Sequence, residues 1–165
     1  QTIKQRETGI AHCPLSNFYF SNAVFSARKA LDKGLNIGLG TDISGGASPS
    51  LLHNCNQAVT ASRTLEEGVN PDLPAEQRGS PNSRIDFKEA FWMATTGGGR
   101  ALNLKIGQIT GGYAMDAIVV DIAVPESNVF VWDDRDSVED VLQKIIYNVD
   151  RSNIAKVWVQ GNQLK

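Results

Sequence analysis

The run Leu35-Asn36-Ile37-Gly38-Leu39-Gly40-Thr41-Asp42 is largely apolar until it stops at a carboxylate, and the pliable residues Ile43-Ser44-Gly45-Gly46 follow. Such a segment fits a buried parallel strand, which helices cover on both faces. In an α/β barrel it delivers Asp42 to the mouth where active sites of that architecture are built. The flanks agree. Upstream, Ile10-Ala11-His12-Cys13 reads as a brief buried strand bounded by Pro14, followed by a loop from Leu15 to Asn22. Val24, Ala27 and Leu31 then recur at helical spacing before Gly34. Downstream, Leu51, Leu52, Cys55, Ala58, Val59 and Ser62 share a face of a helix from about Ser50 to Glu67. Strand, loop, helix, strand and helix in alternation argue for an α/β fold with parallel pairing.

The rest of the chain reads in two textures. Residues 68–84 hold Pro71, Pro74 and Pro81 among Gly, Ser and Asn, which predicts a long exposed loop with at most a short helical turn. Asp86 begins a helix as N-cap, with Glu89 completing a capping box. Gly97-Gly98-Gly99 is expected to interrupt it, and a second short helix is predicted over Arg100 to Leu104. From Gly107 the pattern turns strand-like, with Ala117-Ile118-Val119-Val120 ending at Asp121 and a closing alternation from Ile154 to Val159. Between them a helix is expected to start at Asp136, with Val138, Val141, Leu142, Ile145 and Ile146 on its apolar side. A boundary near Leu104 separates the two textures. At the other end, Ile3 to Gly9 reads as a helix closed by a C-cap glycine. The chain opens with Gln1 in place of Met, which predicts the later part of a longer protein.

Bulk properties exclude several partners. With 41% apolar residues over 165 positions the chain can fill a core. A net charge of -2 provides no field to gather nucleic acid or an anionic membrane. Cys13 and Cys55 have neither CxxC spacing nor the density of a disulfide scaffold, so a reducing cytosol is expected. No apolar run reaches the roughly 18 to 20 residues of a membrane span.

Residue by residue, Asp42 alone is one carboxylate, and a cap or loop carboxylate is the commonest use of Asp after a strand. His12 reads either as part of a pocket floor or as a satisfied buried histidine at a strand end. Asn17 and Ser16 either steady the loop beneath a pocket or form a turn after Pro14. His53 falls on the polar side of its helix and carries no ligand role. The triple glycine has no strand before it and no Lys-Ser/Thr after it, so it is no phosphate loop. Cys55 reads as a small core residue, Cys13 as the more exposed thiol.

Three motifs in order carry a resemblance: His12-Cys13-Pro14-Leu15-Ser16-Asn17, then Gly38-Leu39-Gly40-Thr41-Asp42-Ile43-Ser44-Gly45-Gly46, then Ala94-Thr95-Thr96-Gly97-Gly98-Gly99-Arg100-Ala101-Leu102. Their order and spacing resemble the C-terminal portion of the metal-dependent amidohydrolase superfamily. Phe18-Tyr19-Phe20-Ser21-Asn22 and the Asp-Ile-Ser-Gly-Gly tail make the chain most similar to the guanine-deaminating branch. The resemblance covers essentially the whole chain. It implies the C-terminal part of a (β/α)8 barrel over residues 1–104 and part of a small β-sandwich with a helix over residues 105–165. It also implies zinc, one per site, with Asp42 as metal ligand, substrate contact and catalytic proton relay, and His12 and Asn17 as neighbours of the pocket. The implied reaction is hydrolytic deamination of guanine, a small purine substrate, to xanthine and ammonia. The intact enzyme is implied to be a cytoplasmic homodimer.

The same resemblance implies what this chain lacks. The family's HxH pair, two further metal histidines, the acid glutamate and the purine-reading residues all belong to an N-terminal part. Only two histidines are present, so the chain by itself is expected to be inactive. Two other readings stay open: an amidohydrolase acting on an adenosine-type or triazine-type ring, and a noncatalytic half-barrel or interface module.

Overall fold

The computed structural model describes residues 2–21 and 24–165, so Gln1 and the end of the expected loop at Asn22 lie outside the described residues. The chain divides into two compact units, one ending at Leu104 and one starting at Lys105.

The first unit is α/β. Strand β1 (Ile10–His12) pairs in parallel with β2 (Ile37–Leu39), in the register Ile10 to Ile37, Ala11 to Gly38 and His12 to Leu39. The pairing continues past the strands, since Gly40 N donates to His12 O at 2.8 Å. Both strands therefore leave the sheet at the same end, and the loops after His12 and Leu39 meet there. Every residue of β2 is buried, as its apolar run requires. Full burial of Ile37 alone is worth about 1.5–3 kcal/mol.

Helices α1 (Thr2–Gln5), α2 (Pro14–Ser16), α3 (Ala27–Asp32), α4 (Leu51–Glu67), α5 (Ala75–Arg78), α6 (Phe87–Ala94) and α7 (Thr96–Ala101) complete this unit. α4 packs on α6, α2, α3 and β2, while α6 and α7 lie against β2. Cys55, Ala58, Ala90 and Met93 fill the space between them. The long loop after α4 is tied down by Glu66, which accepts from the backbone N–H groups of Ser83 and Arg84 and from the Arg84 side chain. These donors, led by Ser83 N–H, hold the Glu66 carboxyl below its ordinary pKa.

Several local expectations are corrected. The first helix ends before Gly9, and its left-handed residue is Glu7, with φ 50°. Gly9 serves close packing instead: a Cβ there would lie 2.0 Å from Ala101 O. The segment after Pro14 is not a loop, because Pro14 opens α2 and a π-helical turn follows over Asn17–Ser21. The triple glycine does not interrupt a helix either. The break falls at Thr95, and Gly97, Gly98 and Gly99 lie inside α7, which replaces the helix predicted over Arg100 to Leu104. Their lack of side chains lets α7 approach β2: a Cβ on Gly97 would meet Ile37 O at 2.6 Å, and one on Gly38 would meet Gly98 Cα at 2.8 Å. On α4, Leu51 is exposed while Asn54 is fully buried, its amide donating to Ser50 O at 2.9 Å.

The second unit holds a three-stranded antiparallel sheet in the order β3 (Ala117–Val120), β4 (Ile154–Val159), β5 (Asn162–Gln163). Gln160 and Gly161, with φ of 50° and 79°, make the two-residue turn between β4 and β5, the hairpin geometry that matches strand twist. Helix α8 (Val138–Asn148) is capped by Ser137 with Asp140, one position later than expected. Asp136 is diverted: it accepts from Trp132 N–H and pairs with Lys144 at 2.5 Å. Of the expected apolar side only Ile146 is buried, and Val138 is exposed. Asn153 joins β3 to its surroundings, donating to Asp121 O and Ser127 Oγ, each at 3.0 Å.

Candidate active site

The parallel pair places His12 and Leu39 side by side, so the residues that follow them face one another. After β1, Pro14 starts α2 and mounts Ser16 on a short rigid turn. After β2, Asp42 is exposed and takes a left-handed backbone with φ 48°, a conformation uncommon outside glycine. Asp42 O accepts from Gly46 N–H at 2.5 Å, which folds the loop back on itself. Gly46 is required there, since a Cβ would lie 1.9 Å from Thr41 O.

Ser16 Oγ donates to Asp42 Oδ2 at 2.6 Å, across 26 residues of sequence. Gly45 crowds the same oxygen, since a Cβ would lie 2.8 Å from it and 3.1 Å from Phe20 Cε2. Next to this loop lies a cleft of about 590 Å³ lined by Leu15, Phe18, Tyr19, Ser44, Gly45 and Ala47. Its lining is mainly apolar and aromatic, with a carboxylate beside it, the usual make-up of a small-molecule site. A second cleft of about 510 Å³, lined by Leu31, Asp86, Lys88, Glu89 and Trp92, has no comparable chemistry. Its acids are engaged in the capping box of α6 and the ion pair between Arg28 and Glu89.

His12 ends β1 and is only 2% exposed, with its ring 5.1 Å from that of Phe25. Its side chain is hydrogen-bonded to Asn17, and Nδ1 has no partner. Burial lowers its pKa to about 4, against which the Asn17 bond acts, so the imidazole is neutral near pH 7. The Cys13 thiol is pushed up, first by burial and then by the Asp42 carboxylate. Cys55 is fully buried and its thiol is pushed up to about 12. His53 is exposed on α4.

The structure thus brings Asp42 to Ser16 and His12 to Asn17. Ser16 was weighed from sequence only as a loop residue, because nothing in the spacing of the two motifs reveals which side chains meet. No cluster of three or more His, Cys, Asp or Glu side chains that could hold a metal occurs among the described residues. A zinc site takes at least three protein ligands. The described residues by themselves therefore do not make a zinc site. No helix among the described residues is long and apolar enough to cross a membrane.

Comparison with known proteins agrees with the motifs. A guanine deaminase of Dictyostelium discoideum is 34% identical over 165 residues, covering 99% of this chain and 34% of its own length. A 5'-deoxyadenosine deaminase of Methanocaldococcus jannaschii is 32% identical over 123 residues, covering 74% of this chain and 26% of its own length. The crystal structure of guanine deaminase from C. acetobutylicum with bound guanine superposes with a TM-score of 0.79 at 31% identity, covering 99% of this chain and 35% of that one. The chain thus spans about a third of the length of the guanine deaminases it matches. Residues 1–164 match the amidohydrolase family, and the chain belongs to that family.

Proposed function

We propose that this chain is the C-terminal third of a zinc-dependent guanine deaminase, which hydrolyses guanine to xanthine and ammonia in purine catabolism. The observation that carries the reading is the exposed Asp42 at the C-terminal end of β2, within a chain alignable over 99% of its length to guanine deaminases. Residues up to Leu104 are read as the last part of the (β/α)8 barrel, and those from Lys105 as part of a β-sandwich. Asp42 is assigned as one zinc ligand, with the other ligands supplied from outside this chain. Zinc, when bound, acidifies water from a pKa of about 15.7 towards 7. The Asp42 carboxylate takes a proton from the attacking water and returns it to the departing amine, work that needs only a short reach. The cleft walls of Leu15, Phe18 and Tyr19 exclude water from one side of the planar ring. His12 and Asn17 support the loop from behind. The intact protein is read as a cytoplasmic homodimer, and this chain alone as inactive.

Ammonia release from guanine tests the reading in the full-length protein and its Asp42→Ala variant, numbered as here. Activity that falls by at least about 10²-fold in the variant supports substrate and residue together. A parent that binds zinc and leaves guanine untouched overturns the substrate. The relative that acts on 5'-deoxyadenosine favours a second reading, an adenosine-type ring, over a smaller share of the chain. The same assay with 5'-deoxyadenosine separates the two.

A further inference from the structure

We propose that Tyr19 is a substrate-stacking residue, its ring taking one face of a planar base; the proposal deepens the guanine reading above and rests on it. Three observations combine. The π-helical turn Asn17–Ser21 carries Phe18, Tyr19 and Phe20 in succession, and turns of this kind are frequent at functional sites. Phe18 and Tyr19 line the cleft of about 590 Å³ together with Ser44, Gly45 and Ala47, so the cleft lies between the loops that follow β1 and β2. Tyr19 is nevertheless 79% exposed and Phe20 67%, which leaves aromatic surface uncovered beside the cleft, the mark of a ligand-binding groove.

The aromatic pair is held in place without being covered. Tyr19 and Phe20 meet edge to face, with ring centroids 4.9 Å apart and planes at 90°, an arrangement that ring quadrupoles favour. Phe20 in turn reaches the second loop, since a Cβ on Gly45 would lie 3.1 Å from Phe20 Cε2. The same Cβ would lie 2.8 Å from Asp42 Oδ2. One loop residue thus borders the aromatic turn, the cleft and the carboxylate, which links stacking on Tyr19 to the site at Asp42. An aromatic ring offers a base its π-face and needs no hydrogen bond to do so, and removing such a ring typically costs about 10-fold in affinity.

The test uses the full-length protein and its Tyr19→Phe, Tyr19→Leu and Phe20→Leu variants. Kd for xanthine, the product and so not consumed, is measured by calorimetry, KM and kcat for guanine by ammonia release, and the melting midpoint by circular dichroism. Tyr19→Phe keeps the ring and is expected to retain the parent's values. Tyr19→Leu keeps apolar bulk without a ring, and is expected to raise Kd and KM by about 10-fold, with the larger share of the effect in KM and the midpoint unchanged. Phe20→Leu removes the edge contact and is expected to fall between the two. Kd and KM within twofold of the parent in Tyr19→Leu overturn the proposal and leave the guanine reading standing, as does a Tyr19→Phe protein no better than Tyr19→Leu. A Tyr19→Leu protein that melts markedly earlier or does not fold assigns the ring to packing and overturns the proposal as well. A parent inactive on guanine that deaminates 5'-deoxyadenosine, with a KM that depends on the Tyr19 ring, upholds the stacking and overturns only the substrate. A parent that acts on neither and binds no xanthine overturns both.

Discussion

Charging His12 inside the first unit separates the folded from the unfolded chain. Its folded pKa of about 4 lies below the ordinary 6.5, with burial as the main cause. The unfolded chain therefore binds the proton first as pH falls. Stability from this group is complete above about pH 6.5 and is lost as pH drops towards 4, by at most about 3 kcal/mol. In an NMR titration of the histidine-labelled full-length protein, assigned by the resonance lost in His12→Asn, the His12 ring is expected to stay neutral down to about pH 5. A midpoint near 6.5 would contradict the burial. The same residue shows how far sequence reading goes. The strand end was legible in Ile10-Ala11-His12, but the choice between pocket floor and buried histidine depended on what packs over the ring, and Phe25 is 13 positions away.

At the scale of the element, two helices show a start signal succeeding and slipping. Asp86 and Glu89 form the capping box that their spacing announces. For α8 the sequence Asp136-Ser137-Val138-Glu139-Asp140 offers two overlapping boxes, and local pattern does not choose between them. The choice falls to Ser137 and Asp140 because Lys144 and the Trp132 N–H engage Asp136, holding its carboxyl below the usual range, with Lys144 the larger cause. Ser137→Ala is thus expected to destabilise the protein by about 1 kcal/mol in urea unfolding. An unchanged midpoint would return the cap to Asp136. Glycine was misread for a related reason. Three in a row predict a break by propensity, yet α7 keeps them because the contact with β2 demands bare backbone at Gly97.

For the molecule as a whole, β1 and β2 form a two-stranded sheet among the described residues, each with an outer edge that no further strand covers. Uncovered edges invite pairing between chains. The isolated chain is expected to aggregate or to bind hydrophobic dye, and a monodisperse monomer with a cooperative melt and full near-UV ellipticity would count against it. Static light scattering after refolding makes the check. Much of the fold was readable in advance, because burial of apolar faces imposes periods that survive in a linear string: the parallel pair, the long α4 and the strand-rich second unit are examples. The strand that leads to Asp42 was readable as well, but the use of that carboxylate was not, since Asp after a strand commonly serves as a cap. What the string could not carry is which loops meet. The bond from Ser16 to Asp42 and the approach of α7 to β2 depend on distances closed by tertiary packing. Hydrophobic patterning is local and periodic, whereas a hydrogen bond across 26 residues comes into being only when two strands have paired in register.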